Sequence, residues 1–232
     1  MFQNTCSTVR NSVYGILAST SEGGLDHYTT GTGFMIAPGV IATVAHLVRV
    51  GMDPEAEVHE QFEVIRAPDV GESMEDAFLI AEYPERDVAL LRVPDSRSGY
   101  SLSFVDGIVP HGASCGSLGY PLAYVEVLES RRNFMLVERF QGANISSYHT
   151  ENIPDGDFDW YETDALMYSG SSGCPGFLVD GRVFGMQVRS LTRIEDVSPD
   201  DGTPQKETRI AISQWAPAHD IISIARNHGV KL

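Results

Sequence analysis

An all-β fold, a sandwich or a barrel, is what the sequence predicts for these 232 residues. Three observations carry that prediction. Short runs of β-branched and aromatic residues recur at fairly even spacing, with turn residues between them. Asp180-Gly181 stands between apolar residues in Leu178-Val179-Asp180-Gly181-Arg182-Val183, which is a hairpin signal. Only one stretch, the last, reads as helix. The 22 Gly and 12 Pro agree with a chain of many turns.

Taken in order, the first strands fall at residues 12–18, 32–36, 62–66, 77–81 and 88–93. A second set falls at 124–128, 134–140, 183–188 and 208–212. The closing helix rests on the apolar face of Ile221, Ile222, Ile224 and Ala225. Ser213 or a neighbour caps its start, Pro217 fits its first turn, and Gly229 stops it. The stretch 195–207 is acidic and rich in Pro, Gly and Asp, so it reads as an exposed loop, and 151–164 is similarly acidic.

Composition narrows the partners. Acidic residues number 32 against 16 basic ones, for a formal net charge of −16, and lysine occurs only at Lys206 and Lys231. A phosphate backbone needs clustered cations, so nucleic acid is not expected as a partner. An anionic membrane surface is disfavoured for the same reason, and no apolar run has the length of a span. Cys6, Cys115 and Cys174 make no disulfide framework, which fits a reducing compartment. No leader is visible at residues 1–10, so a cytoplasmic location is expected. The seven His lack metal-ligand spacing and no nucleotide fingerprint occurs, so neither metal nor cofactor is expected. Oligomeric state leaves no trace in the sequence.

Three segments offer chemistry together. Gly170-Ser171-Ser172-Gly173-Cys174-Pro175 presents a hydroxyl on a turn. Ile41-Ala42-Thr43-Val44-Ala45-His46 ends on a base. Arg86-Asp87-Val88-Ala89-Leu90-Leu91 begins beside a carboxylate that could orient that base. Singly, each has a plain structural explanation: a turn serine, a core histidine, a strand-end aspartate. Their order along the chain, His, Asp, Ser, is that of chymotrypsin. A serine hydroxyl is a weak nucleophile until a base takes its proton.

The chain resembles the trypsin-like serine proteases, and among them the compact HtrA-type bacterial branch. Gly31-Thr32-Gly33-Phe34 is similar to that branch's G-S/T-G-F strand. Ala42-Thr43-Val44-Ala45-His46 is similar to its T-x-A-H segment, and Asp87-Val88-Ala89-Leu90-Leu91 to its D-x-A-L-L strand. Leu118-Gly119-Tyr120-Pro121-Leu122 resembles its G-Y-P-L turn, and Thr163-Asp164-Ala165 with Gly170-Ser171-Ser172-Gly173 its T-D-A…G-N-S-G run. Arg209-Ile210-Ala211-Ile212-Ser213 resembles its last strand.

The resemblance implies two perpendicular Greek-key β-barrels with a C-terminal α-helix. Residues 1–107 would form the barrel carrying His46 and Asp87. Residues 108–232 would form the barrel carrying Ser172, plus the helix. It implies a serine endopeptidase acting on polypeptides through a His46-Asp87-Ser172 triad and an acyl-enzyme, with the Gly170 and Ser172 N–H groups facing the oxyanion. Leu166 would floor the specificity pocket, with Val188, Arg189 and Ser190 as a wall. Small or medium apolar residues would then precede the cut. Glu207 and Arg209 lie on a neighbouring strand whose register is open. The rival functions are a silent peptide-binding pseudoprotease and a serine esterase or acyl transferase. Ser171 stands where digestive relatives carry an Asp, so activation by N-terminal cleavage is not expected. Cys174 stands where S-G-G-P has its second Gly.

Overall fold

In the computed structural model, two closed six-stranded barrels account for most of the chain; residues 1–22, 25–51, 56–66, 74–93, 100–128, 131–153, 156–195 and 206–232 are described. The first barrel joins β1 (Val13–Glu22), β2 (Leu25–Ala37), β3 (Val40–Thr43), β4 (Gln61–Arg66), β5 (Glu75–Tyr83) and β6 (Val88–Arg92) in the order β1-β2-β3-β6-β5-β4. The second joins β7 (Ser114–Gly119), β10 (Arg139–Ile153), β11 (Gly156–Thr163), β12 (Pro175–Leu178), β13 (Val183–Glu195) and β14 (Lys206–Pro217) in the order β10-β11-β14-β13-β12-β7. A separate hairpin pairs β8 (Tyr124–Leu128) with β9 (Arg131–Met135).

Eight of the nine runs read from the sequence each fall on one strand, most of them longer than expected. The Asp180-Gly181 hairpin is present, with Leu178 N–H donating to Arg182 O at 3.0 Å. Among the described residues, β3, β7 and β11 lie outside the runs read, and β12 was read only as the first arm of the 178–183 hairpin. Two of these show why. Every residue of β3 is buried, so it has no alternation to betray it. It lies between β2 and β6, with Phe34 opposite Ala42 and Ile41 opposite Leu91. Pro175 opens β12, where a missing N–H costs little.

Several expectations need correction. The run 134–140 is two strands, because β9 ends at Met135 and β10 starts at Arg139. In the acidic stretch 151–164, residues 151–153 and 156–163 belong to the β10–β11 ladder. Its carboxylates face neutral donors across the strands. Thr150 Oγ1 and Tyr148 OH donate to Asp159, and Asn152 Nδ2 donates to Asp157 at 2.6 Å. Such pairs remove the repulsion that made the stretch look unstructured. The acidic loop at 195–207 lies largely outside the described residues, and so do the Glu207 and Arg209 side chains.

Helix α3 (Ala218–Asn227) is the closing helix, ending just before Gly229. Ser213 does not cap it. Ser213 is fully buried on β14, and Pro217 holds the N-cap position without a side-chain bond. Two helices were not anticipated, α1 (Gln3–Val9) and the single turn α2 (Ala45–Val48). Helix α1 is strapped to the second barrel, where Phe2 packs on Phe140 and Phe177.

One apolar cluster runs from Phe34, Ile41 and Leu90 in the first barrel to Phe177 and Met186 in the second. A smaller one is built on Tyr161, Phe184 and Trp215. Each such side chain contributes roughly 1.5–3 kcal/mol on burial. Among the described residues, no helix is long and apolar enough to cross a membrane.

Candidate active site

Helix α2 follows directly on β3. Ala45, Leu47 and Val48 are buried, which leaves His46 as the one residue of that turn facing outward, its side chain 24% exposed. Asp87 ends a 3-10 turn at Pro84–Arg86 in the left-handed region, φ 49°. Aspartate tolerates that conformation better than most side chains. The ladder of β3 with β6 sets Thr43 opposite Ala89, and so brings the ends of both strands side by side.

The Asp87 carboxylate spans His46. Oδ2 lies 2.7 Å from Nδ1, and Oδ1 accepts from the His46 main-chain N–H at 2.9 Å. A carboxylate only accepts, so Nδ1 carries the proton and a neutral ring presents Nε2 as an acceptor. Two bonds to one residue fix both the turn of the ring and its tautomer.

Ser172 stands between two glycines with positive φ, Gly170 at 86° and Gly173 at 85°. A Cβ on Gly173 would lie 1.8 Å from Thr32 O, and one on Gly170 would lie 2.8 Å from Tyr120 O. Neither position admits a larger residue. The Ser172 hydroxyl rests against the Val188 carbonyl, to which it donates at 3.3 Å. Among the described residues, the His46 Nε2 and the N–H groups of Gly170 and Ser172 make no hydrogen bond.

Thr32, which no motif marks as a scaffold residue, locks this turn to the first barrel. Its N–H donates to Ser172 O at 3.0 Å. Its hydroxyl donates to Gly170 O and accepts from Tyr120 N–H, both at 3.0 Å. Thr43 Oγ1 donates to Thr32 O at 2.7 Å. The signal was the short side chain between Gly31 and Gly33. Arg86 was missed as well. It pairs with Asp220 of α3 at 2.5 Å and lies over the Phe158 ring, tying the Asp87 turn to the second barrel.

Cys174 is accommodated rather than disruptive. A Cβ on Gly119 would lie 2.1 Å from its sulfur, so the glycine makes room for the thiol. Burial pushes that thiol up to about 11, and hydrogen bonds with Thr32 and Ser117 oppose the shift. Ser171 is buried, its N–H donating to Tyr168 O. The residues assigned to the specificity pocket lie on two segments, Leu166 just before the Ser172 turn and Val188, Arg189 and Ser190 on β13. Leu166 is half-buried and Val188 buried. Arg189 is exposed, with its guanidinium above Trp160, and Ser190 is half-buried.

A family model described as a trypsin-like peptidase domain matches residues 31–186, about two-thirds of the chain, and spans all three segments just described. The chain belongs to the trypsin-like peptidase family. Membership makes it a serine endopeptidase domain with polypeptides as substrates. None of the curated proteins matches it in sequence. Among solved structures it is similar to the Rv3671c protease of M. tuberculosis in its active form, with a TM-score of 0.72 and 21% identity. That match covers 98% of this chain and 85% of the other. A serine-to-alanine mutant of the same protease in the inactive form matches at TM-score 0.67 and 22% identity, covering 97% and 90%. The peptidase domain shares their fold.

Proposed function

We propose that the peptidase domain cleaves peptide bonds through an acyl-enzyme formed on Ser172, with His46 as base and Asp87 as its orienting carboxylate. The two-point grip of Asp87 on His46 carries this reading. Ser172 Oγ attacks the scissile carbonyl while its proton passes to His46 Nε2. The oxyanion is met by the unengaged N–H groups of Gly170 and Ser172. The imidazolium then protonates the departing amine, and water repeats the sequence to free the enzyme. The Asp87 carboxylate faces the positive ring and balances its charge.

Turnover requires the Ser172 hydroxyl to leave Val188 O for His46 Nε2, a tightening expected on substrate binding. No metal or cofactor takes part in these steps. A reducing, cytoplasmic setting agrees with three unpaired cysteines, two of them pushed up to about 12 (Cys115) and about 11 (Cys174) by burial. A complex peptide library read at residue level tests the reading. Cuts made by the unaltered protein and absent with Ser172→Ala are the expected result. Equal cutting by both proteins, or ester hydrolysis without any peptide cleavage, would overturn it.

A further inference from the structure

Three consecutive carbonyls just before the Ser172 turn are each held by a side chain from a different strand. Ser213 of β14 donates to Ala165 O at 2.6 Å. Gln141 of β10 donates to Leu166 O at 2.8 Å. Ser190 of β13 donates to Met167 O at 2.9 Å. The segment belongs to no strand or helix, so these bonds decide where it lies. The hydroxyls of Ser190 and Ser213 stand 3.5 Å apart, and Met167, Val188 and Ser213 are almost fully buried.

This segment runs straight into the nucleophile's turn. Strand β13 passes the nucleophile on the other side, where Val188 O receives its hydroxyl. An acyl group on Ser172 Oγ would therefore sit beside the Val188 carbonyl, at the end of the seam between residues 165–168 and 188–190. We infer that the Ser190–Met167 hydrogen bond closes this seam, so that the domain selects polypeptides with glycine, alanine or serine before the cut. The inference rests on the proposed role of Ser172.

The physics is one of displacement. A methyl or hydroxymethyl group sits at the seam without parting it. A Leu or Phe side chain must break the Ser190 bond and leave the Met167 carbonyl buried without a donor. A Lys or Arg adds an unpaired charge to that cost. A cavity of about 200 Å³ is lined by Phe140, Gln141, Met167, Tyr168, Ser171 and Cys174. It borders the seam only at Met167 and Tyr168; Leu166, Val188, Arg189 and Ser190 do not line it.

The test compares matched peptides carrying Ala or Leu before the cut, with Ser190→Ala and Ser190→Gly variants. In the unaltered domain kcat/KM should favour Ala by about a hundred-fold or more. Ser190→Gly should shrink that ratio by at least about tenfold, and Ser190→Ala by less. Misfolding would lower both rates and leave the ratio standing. The same peptides, bound uncut to Ser172→Ala protein with and without Ser190→Gly, give the ratio as affinities when cleavage is silent. Equal handling of Ala and Leu by the unaltered domain, or a ratio unmoved by Ser190→Gly, overturns the inference. Cleavage with an unmoved ratio sinks only the seam. A shifted binding ratio without cleavage supports the seam and sinks the triad.

Discussion

Among single residues, the three proposed catalytic groups contribute unequally to turnover. Ser172→Ala and His46→Ala each remove a group that forms or breaks bonds, so turnover should fall about a million-fold. Asp87→Asn should cost less, about ten-thousand-fold, because it spoils the tautomer while leaving nucleophile and base in place. Circular dichroism should show all three variants folded, since none of the side chains anchors a core. Cys174 offers a separate check. Gly119→Ala should destabilise by about 1–3 kcal/mol, because its methyl meets the buried sulfur. Adding Cys174→Gly should recover part of that loss, leaving the clash with Thr32. Additive losses in denaturant titrations would mean that the two do not share that space.

At the scale of elements, His59 joins the β1–β2 pair to the end of α2. Its N–H donates to Val48 O, and its ring nitrogens lie 2.9 Å from Thr29 Oγ1 and 3.2 Å from Thr20 Oγ1. Burial holds its pKa below the usual value, and the nearby His27 charge adds to this. The native state therefore favours the neutral ring, and protonation favours the unfolded chain. Stability from this site is complete above the unfolded pKa of about 6.5 and is lost as pH falls toward the native one. One proton limits the slope to about 1.4 kcal/mol per pH unit. Thermal unfolding followed from pH 7 to pH 5 should show the midpoint falling, and His59→Gln should flatten that fall. An unchanged slope in the variant would exclude His59 as its source.

At the scale of the whole molecule, the N-terminal helix belongs to the second barrel. Phe2 rests on Phe140 and Phe177, and Thr5 Oγ1 donates to Val179 O at 2.5 Å. Blocking the α-amine should leave peptidase activity unchanged, because buried Ser171 offers no carboxylate to receive it. Deleting residues 1–9 should lower stability by about 2–4 kcal/mol through the apolar surface it exposes. Activity that arises only after such a deletion would contradict this. The barrels were legible in the sequence where strands alternate or run apolar, as in 62–66 and 88–93. They were hidden where every residue is buried, as in β3, and where acids pair across a ladder, as in β10 and β11. The three proposed catalytic residues were legible because each lies in a motif. Thr32, Ser190 and Gln141 were not legible as a scaffold, because their partners are backbone atoms brought near only by folding. Everything proposed for the site depends on Ser172 being a nucleophile activated by His46. Labelling with a fluorophosphonate probe, mapped by mass spectrometry, tests it most directly. The account predicts one modified residue, Ser172, with labelling abolished in Ser172→Ala and His46→Ala; labelling at another residue, or at Ser172 with undiminished rate in His46→Ala, would contradict it.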